Sequence, residues 1–195
     1  MKHRPLLAGF FGAAVVATGA ISWAVASRSD MFPESKAPAP AYQEADSLLR
    51  KGIQQDKSHD PAGAAHSYAR VLELQPWNKY AWYDLGYVAQ EVGNTDDARR
   101  AYERALTIDP AFSPALYNEA LLLKKSKPDQ AVALLERAMA ADPKSAATAH
   151  YHIGLIWSRK DRDRQAVTEF RRAVAIDPSQ LSQVPRAYKE SVSER

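Results

Sequence analysis

A period of about 34 residues constrains this chain more than any other feature. Four times along it a small residue, an alanine, a large apolar residue and a proline recur in the same order. The alanines stand at Ala64, Ala98, Ala131 and Ala166, and the prolines at Pro76, Pro110, Pro143 and Pro178, giving spacings of 34, 33 and 35 residues. Four positions after each alanine come Tyr68, Tyr102, Leu135 and Phe170; upstream come Gly52, Gly86, Ala120 and Gly154. A unit of this size cannot bury its own apolar face, so a chain built this way folds by stacking successive copies.

Within each unit the pattern predicts two helices that approach closely. Gly86 on a first helix and Ala98 on a second place small residues at the crossing, where a larger side chain would push the axes apart, and Tyr102 and Ala105 share the buried face. Gly93-Asn94, Asp60-Pro61 and Lys127-Pro128 mark turns between the paired helices, with proline at a first helical position, where its missing N–H costs nothing. Ser113-Pro114 reads the same way. Asp109-Pro110, Asp142-Pro143 and Asp177-Pro178 end each second helix, because proline disfavours the α conformation of its predecessor. Asn78, Ser113 and Ser145 then stand as N-caps for the helices that follow.

Trp82, Leu85, Gly86, Ala98, Tyr102, Ala105 and Pro110, in that order, resemble the tetratricopeptide repeat. The resemblance covers four units, residues 45–78, 79–112, 113–145 and 147–180. Ala89 departs from it where the family usually has an aromatic, as do Lys51 and Glu119 where it usually has leucine. The resemblance implies an all-α fold: a right-handed solenoid of four helix-turn-helix units. Residues 181–195, with Val184, Ala187, Tyr188 and Val192 at helical spacing, read as a short capping helix or tail over the fourth unit.

The first 44 residues differ in kind. Lys2 and Arg4 precede an uncharged stretch from Pro5 to Ser27, which as a helix would reach ~34 Å, enough to cross a hydrocarbon core of ~30 Å. Residues 1–27 therefore read as an N-terminal hydrophobic helix acting as a signal-anchor. The competing reading is a signal peptide cut after Ala24-Val25-Ala26, which would leave an exported soluble form. In either case the charge layout keeps the N-terminus cytoplasmic and sends the repeats to the extracytoplasmic side of a membrane, as in a bacterial cell envelope. Residues 28–44, rich in proline and alanine, read as a linker.

The net charge of +3 does not mark a nucleic-acid binder. Residues 1–40 hold four of the 26 basic and two of the 23 acidic residues, which leaves the repeats almost neutral at 22 against 21. The absence of cysteine removes thiolate metal sites, disulfides and cysteine nucleophiles together. His150 and His152 lie two apart, on different helix faces, where a shared metal needs three or four. With no nucleophile elbow, phosphate-cradling loop or H-E-x-x-H in the chain, the expectation is a protein that is no enzyme, with no catalytic residues, cofactor or metal.

Function is expected on the face that, in the resembling family, lines a concave groove for peptides or helices. The resemblance places Tyr80, Tyr83, Tyr87 and Gln90 there from the second unit, Pro114, Tyr117, Leu121 and Lys124 from the third, Thr148, Tyr151, Leu155 and Ser158 from the fourth, and Asp46, Leu49, Ile53 and Asp56 from the first. Asn118 matches an asparagine site of the family. The groove set is thus Tyr80, Tyr83, Tyr87, Tyr117, Asn118, Leu121, Lys124, Tyr151 and Leu155, with Tyr83, Tyr117 and Tyr151 as a ladder across three helices. Such a groove, with cations at Lys124, Lys125 and Arg159, prefers an apolar or aromatic peptide of weakly acidic character. The partner expected is a protein or peptide, besides the membrane through the N-terminal segment. The alternative is a scaffold that self-associates through the convex face or the C-terminal helix, forming a homo-oligomer.

Overall fold

The computed structural model of the protein describes residues 39–194, and the predicted membrane helix and most of the linker lie outside them. Nine α-helices occur among the described residues: α1 (Ala39–Lys57), α2 (Pro61–Leu74), α3 (Lys79–Glu91), α4 (Thr95–Ile108), α5 (Ser113–Leu123), α6 (Pro128–Ala141), α7 (Ala146–Arg159), α8 (Asp163–Ile176) and α9 (Arg186–Ser193). Short 3-10 turns at Pro143–Ser145 and Pro178–Ser182 complete the described secondary structure, which contains no strand. None of these helices is long and apolar enough to cross a membrane.

Helix starts follow local chemistry. Asp60 accepts from the Gly63 N–H, Asn78 from those of Tyr80 and Ala81, and Asn94 from that of Asp97, each satisfying backbone donors that a helix leaves open. One predicted cap is corrected. Ser113 lies inside α5, whose N-cap is Phe112, and its buried hydroxyl donates instead to the Ala138 carbonyl at 3.1 Å. Ser145 holds the N-cap position of α7 without a side-chain cap bond, because its hydroxyl donates to the Asp142 carbonyl at 2.7 Å.

The aspartates before proline do more than mark an end. Asp109, Asp142 and Asp177 accept from the N–H two residues on, at Ala111, Lys144 and Ser179, each at 3.0 Å. These side chains take the place of a backbone acceptor and fix the turns that follow the second, third and fourth units in one geometry.

The helices pair as α1 with α2, α3 with α4, α5 with α6 and α7 with α8. Each second helix then packs on the first helix of the next unit, α2 on α3, α4 on α5 and α6 on α7. Small-against-large contacts hold each pair together. A Cβ placed on Gly52 would lie 2.5 Å from the Tyr68 ring, one on Gly86 2.8 Å from the Tyr102 ring and one on Gly154 2.5 Å from the Phe170 ring. In the third unit the small residue is Ala120 and the large one Leu135, both fully buried. Where the second helix offers a ring the first offers no side chain; where it offers leucine a methyl is accommodated.

At the array's ends, α1 begins at Ala39, so part of the stretch read as linker is helical. At the other end Val184 and Val192 are buried and Tyr188 packs at 5.4 Å from Phe170, so α9 covers the outer surface of α8. Glu119, in the place of a leucine, is buried at 4% exposure; burial raises its carboxyl, and Arg137, Arg99 and Lys127 oppose that rise.

The alternation of ring and leucine predicts a coupled pair. Gly154→Ala should cost about 1–3 kcal/mol in urea unfolding by overpacking against Phe170, and Phe170→Leu about 1 kcal/mol. Combined, they copy Ala120 and Leu135 and should cost less than their sum by at least about 0.5 kcal/mol; strict additivity would contradict the packing account.

Candidate peptide-binding face

Helix α3 with its C-cap residue Val92 carries two stripes. Tyr80, Tyr83, Tyr87 and Gln90 recur at helical spacing on one side, and Trp82, Leu85, Ala89 and Val92 on the opposite side. Tyr80 is 54% exposed and stands edge-on to Phe112 at 5.4 Å, with the Lys79 ammonium 5.2 Å from its ring centre. Lys79 itself is held by Asp109 at 2.6 Å, across the turn that joins the second unit to the third.

Tyr83 is fixed from several directions. Its ring meets Phe112 at 5.6 Å and Tyr102 at 5.8 Å, and its hydroxyl accepts from Asn118 Nδ2 at 3.1 Å. The same amide lies 3.5 Å from the Tyr102 hydroxyl, which donates to Gln90 Oε1 at 3.2 Å. Asn118 is therefore a bracket joining the second and third units through the buried Tyr102. Burial raises the Tyr83 phenol, with the Asp84 charge adding to the rise and the Asn118 bond opposing it. Tyr87 hydrogen-bonds Glu91, which raises its phenol.

The tyrosines of the expected ladder make two sets of ring contacts. Tyr83 belongs with Tyr102 and Phe112. Tyr117 and Tyr151 both meet the His152 ring edge-on, at 5.6 and 5.2 Å, and the Tyr151 hydroxyl donates to the Gln183 carbonyl at 3.3 Å. Burial pushes the Tyr117 phenol up to about 12. Leu121 and Leu155 are half-buried, and Leu155 packs against the core cluster of Ala166, Phe170, Val184 and Val192. Lys124, also half-buried, shares a cavity of about 310 Å³ with Lys125, Arg159 and Ile156; burial and these cations lower its ammonium.

Sequence reasoning assigned no role to Asp84 or His152, which flank the assigned residues by one position. Burial, and then Asp56, pushes the Asp84 carboxyl up to about 6. Burial, and then Lys124, pushes the His152 imidazole down to about 4, and its Nδ1 has no hydrogen-bond partner. His150 behaves differently: its Nδ1 lies 2.6 Å from Glu169, between α7 and α8. No group of three or more metal-ligating side chains forms among the described residues.

Electrostatically, the face has two ends. Asp56, Asp84 and Glu91 lie at the α1–α3 end, and Lys124, Lys125 and Arg159 at the α5–α7 end.

Comparison with known proteins identifies the class. Residues 79–112 and 120–180 each match the family described as tetratricopeptide repeat, so these stretches are such repeats, the architecture of a protein-interaction scaffold. It is 25% identical over 126 residues to the human protein O-mannosyl-transferase TMTC3, a match spanning 62% of this chain and 14% of that protein. The chain thus covers about one seventh of that relative's length. Among solved structures, a crystal structure of MamA superposes with a TM-score of 0.65 at 20% identity, covering 80% of this chain and 87% of that one. The first TPR of Spaghetti (RPAP3), bound to the HSP90 peptide SRMEEVD, superposes with a TM-score of 0.58 at 17% identity, covering 61% and 94%. At these identities the likeness is one of fold.

The buried titrating pair predicts opposed pH effects. Asp84 titrates near 3.8 when unfolded and near 6 when folded, so in that window the folded chain holds the extra proton and acidification stabilises it. His152 titrates near 6.5 unfolded and near 4 folded, so there the unfolded chain takes the proton first and acidification destabilises. Asp84→Asn should be more stable than the parent by about 1–2 kcal/mol at neutral pH, allowing for solvent screening, and lose that advantage as the pH falls to about 4. Urea unfolding at the two pH values checks this; an advantage independent of pH would contradict it.

Proposed function

We propose that the tyrosine-bearing face of α3, α5 and α7 receives a segment of a partner protein and that the chain acts by binding, without a reaction. The observation that carries this reading is the contrast on α3. Tyr83 is locked by Asn118, Tyr102 and Phe112, whereas Tyr80 beside it is 54% exposed on a firm aromatic base. A rigid, half-solvated tyrosine surface offers large contact area at small entropic cost, the usual property of a binding surface.

Charge specifies the ligand further. A segment with aromatic or apolar residues in its middle, a basic residue toward Asp56 and Asp84 and an acidic one toward Lys124 and Arg159 would meet complementary groups along its length. The likeness in fold to the peptide-bound RPAP3 repeat supports the use of this kind of array for peptide recognition. The uncharged stretch from Pro5 to Ser27 behind Lys2 and Arg4 supports an anchored or exported protein that displays its repeats on the extracytoplasmic side of a bacterial envelope membrane.

The test uses the full chain as bait, with Tyr80→Ala/Tyr87→Ala as the comparison, since these changes leave the Tyr83–Asn118–Tyr102 network in place. A partner retained by the parent should be lost by the double variant by at least about tenfold, about 1.4 kcal/mol in affinity. The same partner held equally by both would overturn the assignment of this face. Protease added to spheroplasts should cut the repeats if they face outward, and survival of the repeats would overturn the topology.

A further inference from the structure

We propose that the groove between α2 and α4, on the side of α3 away from the tyrosines, is a second docking site whose occupant is an amphipathic helix of a partner protein. That helix presents a large apolar side chain with a carboxylate beside it.

The three junctions between successive units show why a groove forms at one of them. The same three positions of the repeat, one on each of three helices, carry different residues at the three junctions. Between the second and third units these are Arg99, Leu123 and Leu134; between the third and fourth they are Val132, Trp157 and Glu169. Leu123, Leu134 and Val132 are buried. Trp157 lies beneath the cations of Lys160 and Arg162, at 5.4 and 5.1 Å, and Glu169 is tied to His150 and Arg172 at 2.6 and 2.7 Å. Between the first and second units the three residues are Ala65, Ala89 and Ala101.

Three alanines in place of these larger groups leave a cavity of about 960 Å³. Its walls include Trp82, Leu85 and Val88, and Val92 at its rim is 59% exposed. Trp82 is held in position by its indole N–H, which donates to the Pro76 carbonyl at 2.8 Å. The volume falls in the range of established binding pockets, about 300–1,000 Å³.

The charges around it select the occupant. On the α4 edge Asp97 is paired with Arg100, and Glu103 with Arg99 at 2.6 Å. Arg104 stacks 5.7 Å from the Trp82 ring centre and has no carboxylate partner among the described residues. An incoming carboxylate completes that cation, and an apolar side chain beside it fills the space over Ala89. The occupant is a helix rather than an extended strand because the groove lies between helices whose backbone groups bond internally. A strand would find no main-chain partners there, whereas a helix brings its own.

The test uses the full chain and two labelled alanine-based peptides of about 16 residues, long enough to hold a helix. Both carry Trp and Leu one turn apart; one has Glu a turn beyond, and its twin has Lys there. In fluorescence anisotropy the Glu peptide should bind saturably to the parent, and the Lys twin at least about tenfold more weakly. Ala89→Trp, which installs the residue of the fourth unit, should abolish binding. Arg104→Glu, a surface change that leaves the core untouched, should reverse the preference between the twins, whereas Tyr80→Ala/Tyr87→Ala should leave it unchanged. The proposal is overturned by an absence of saturable binding up to about 1 mM, by equal binding of the twins or by insensitivity to Arg104→Glu. A dimer of the parent that Ala89→Trp dissolves would assign the groove to a second copy and likewise overturn it.

Discussion

The close approach of a side-chain-free position on one helix to a ring on its partner sets everything else. Gly52 lies under Tyr68, Gly86 under Tyr102 and Gly154 under Phe170. Ala120 with Leu135 shows that the third unit meets the same volume by enlarging one residue and reducing the other. That contact fixes how far apart the paired helices stand, and therefore which side chains of the first helices are left over for the outside. Because each unit closes only against its neighbours, a change of volume at one junction remains local to it.

Two surfaces of α3 follow from that arrangement. On one side the Tyr83, Asn118, Tyr102 and Gln90 groups satisfy one another across two units, so the aromatic surface is firm before any ligand arrives. Preorganisation of this kind spares a partner the entropy of ordering the site. On the other side Ala65, Ala89 and Ala101 line a cavity of about 960 Å³ among the described residues. A helix that packs well against its own repeat thus presents a finished aromatic face and an unfilled apolar one.

Much of this was legible in the sequence because the repeat makes each unit a control for the others. Spacing alone located the helix pairs, the small residues at their crossings and the Asp-Pro ends. The misplaced features depended on contacts that spacing does not carry. Ser113 has the composition of a cap, yet it is drawn inward to the Ala138 carbonyl and Phe112 takes the capping position because its ring packs on Tyr80 and Tyr83. The start of α1 at Ala39 was hidden by Pro40, a residue that suits a first turn as well as it suits a linker. His152 meets two of the tyrosines because it follows Tyr151 directly and turns toward Tyr117 on the preceding unit. Ala89 was visible as a departure, but the groove needs Ala65 and Ala101 from two further helices, and their meeting is a property of the fold.

The claim that the tyrosine face is the working surface meets its most direct test in amide hydrogen exchange of the full chain, alone and with its captured partner. The account predicts slowed exchange along α3, α5 and α7, centred on the turns of helix that carry Tyr80, Tyr87, Tyr117 and Tyr151. Slowing confined to α9, or to α2 and α4, with the tyrosine-bearing helices unchanged, would contradict it.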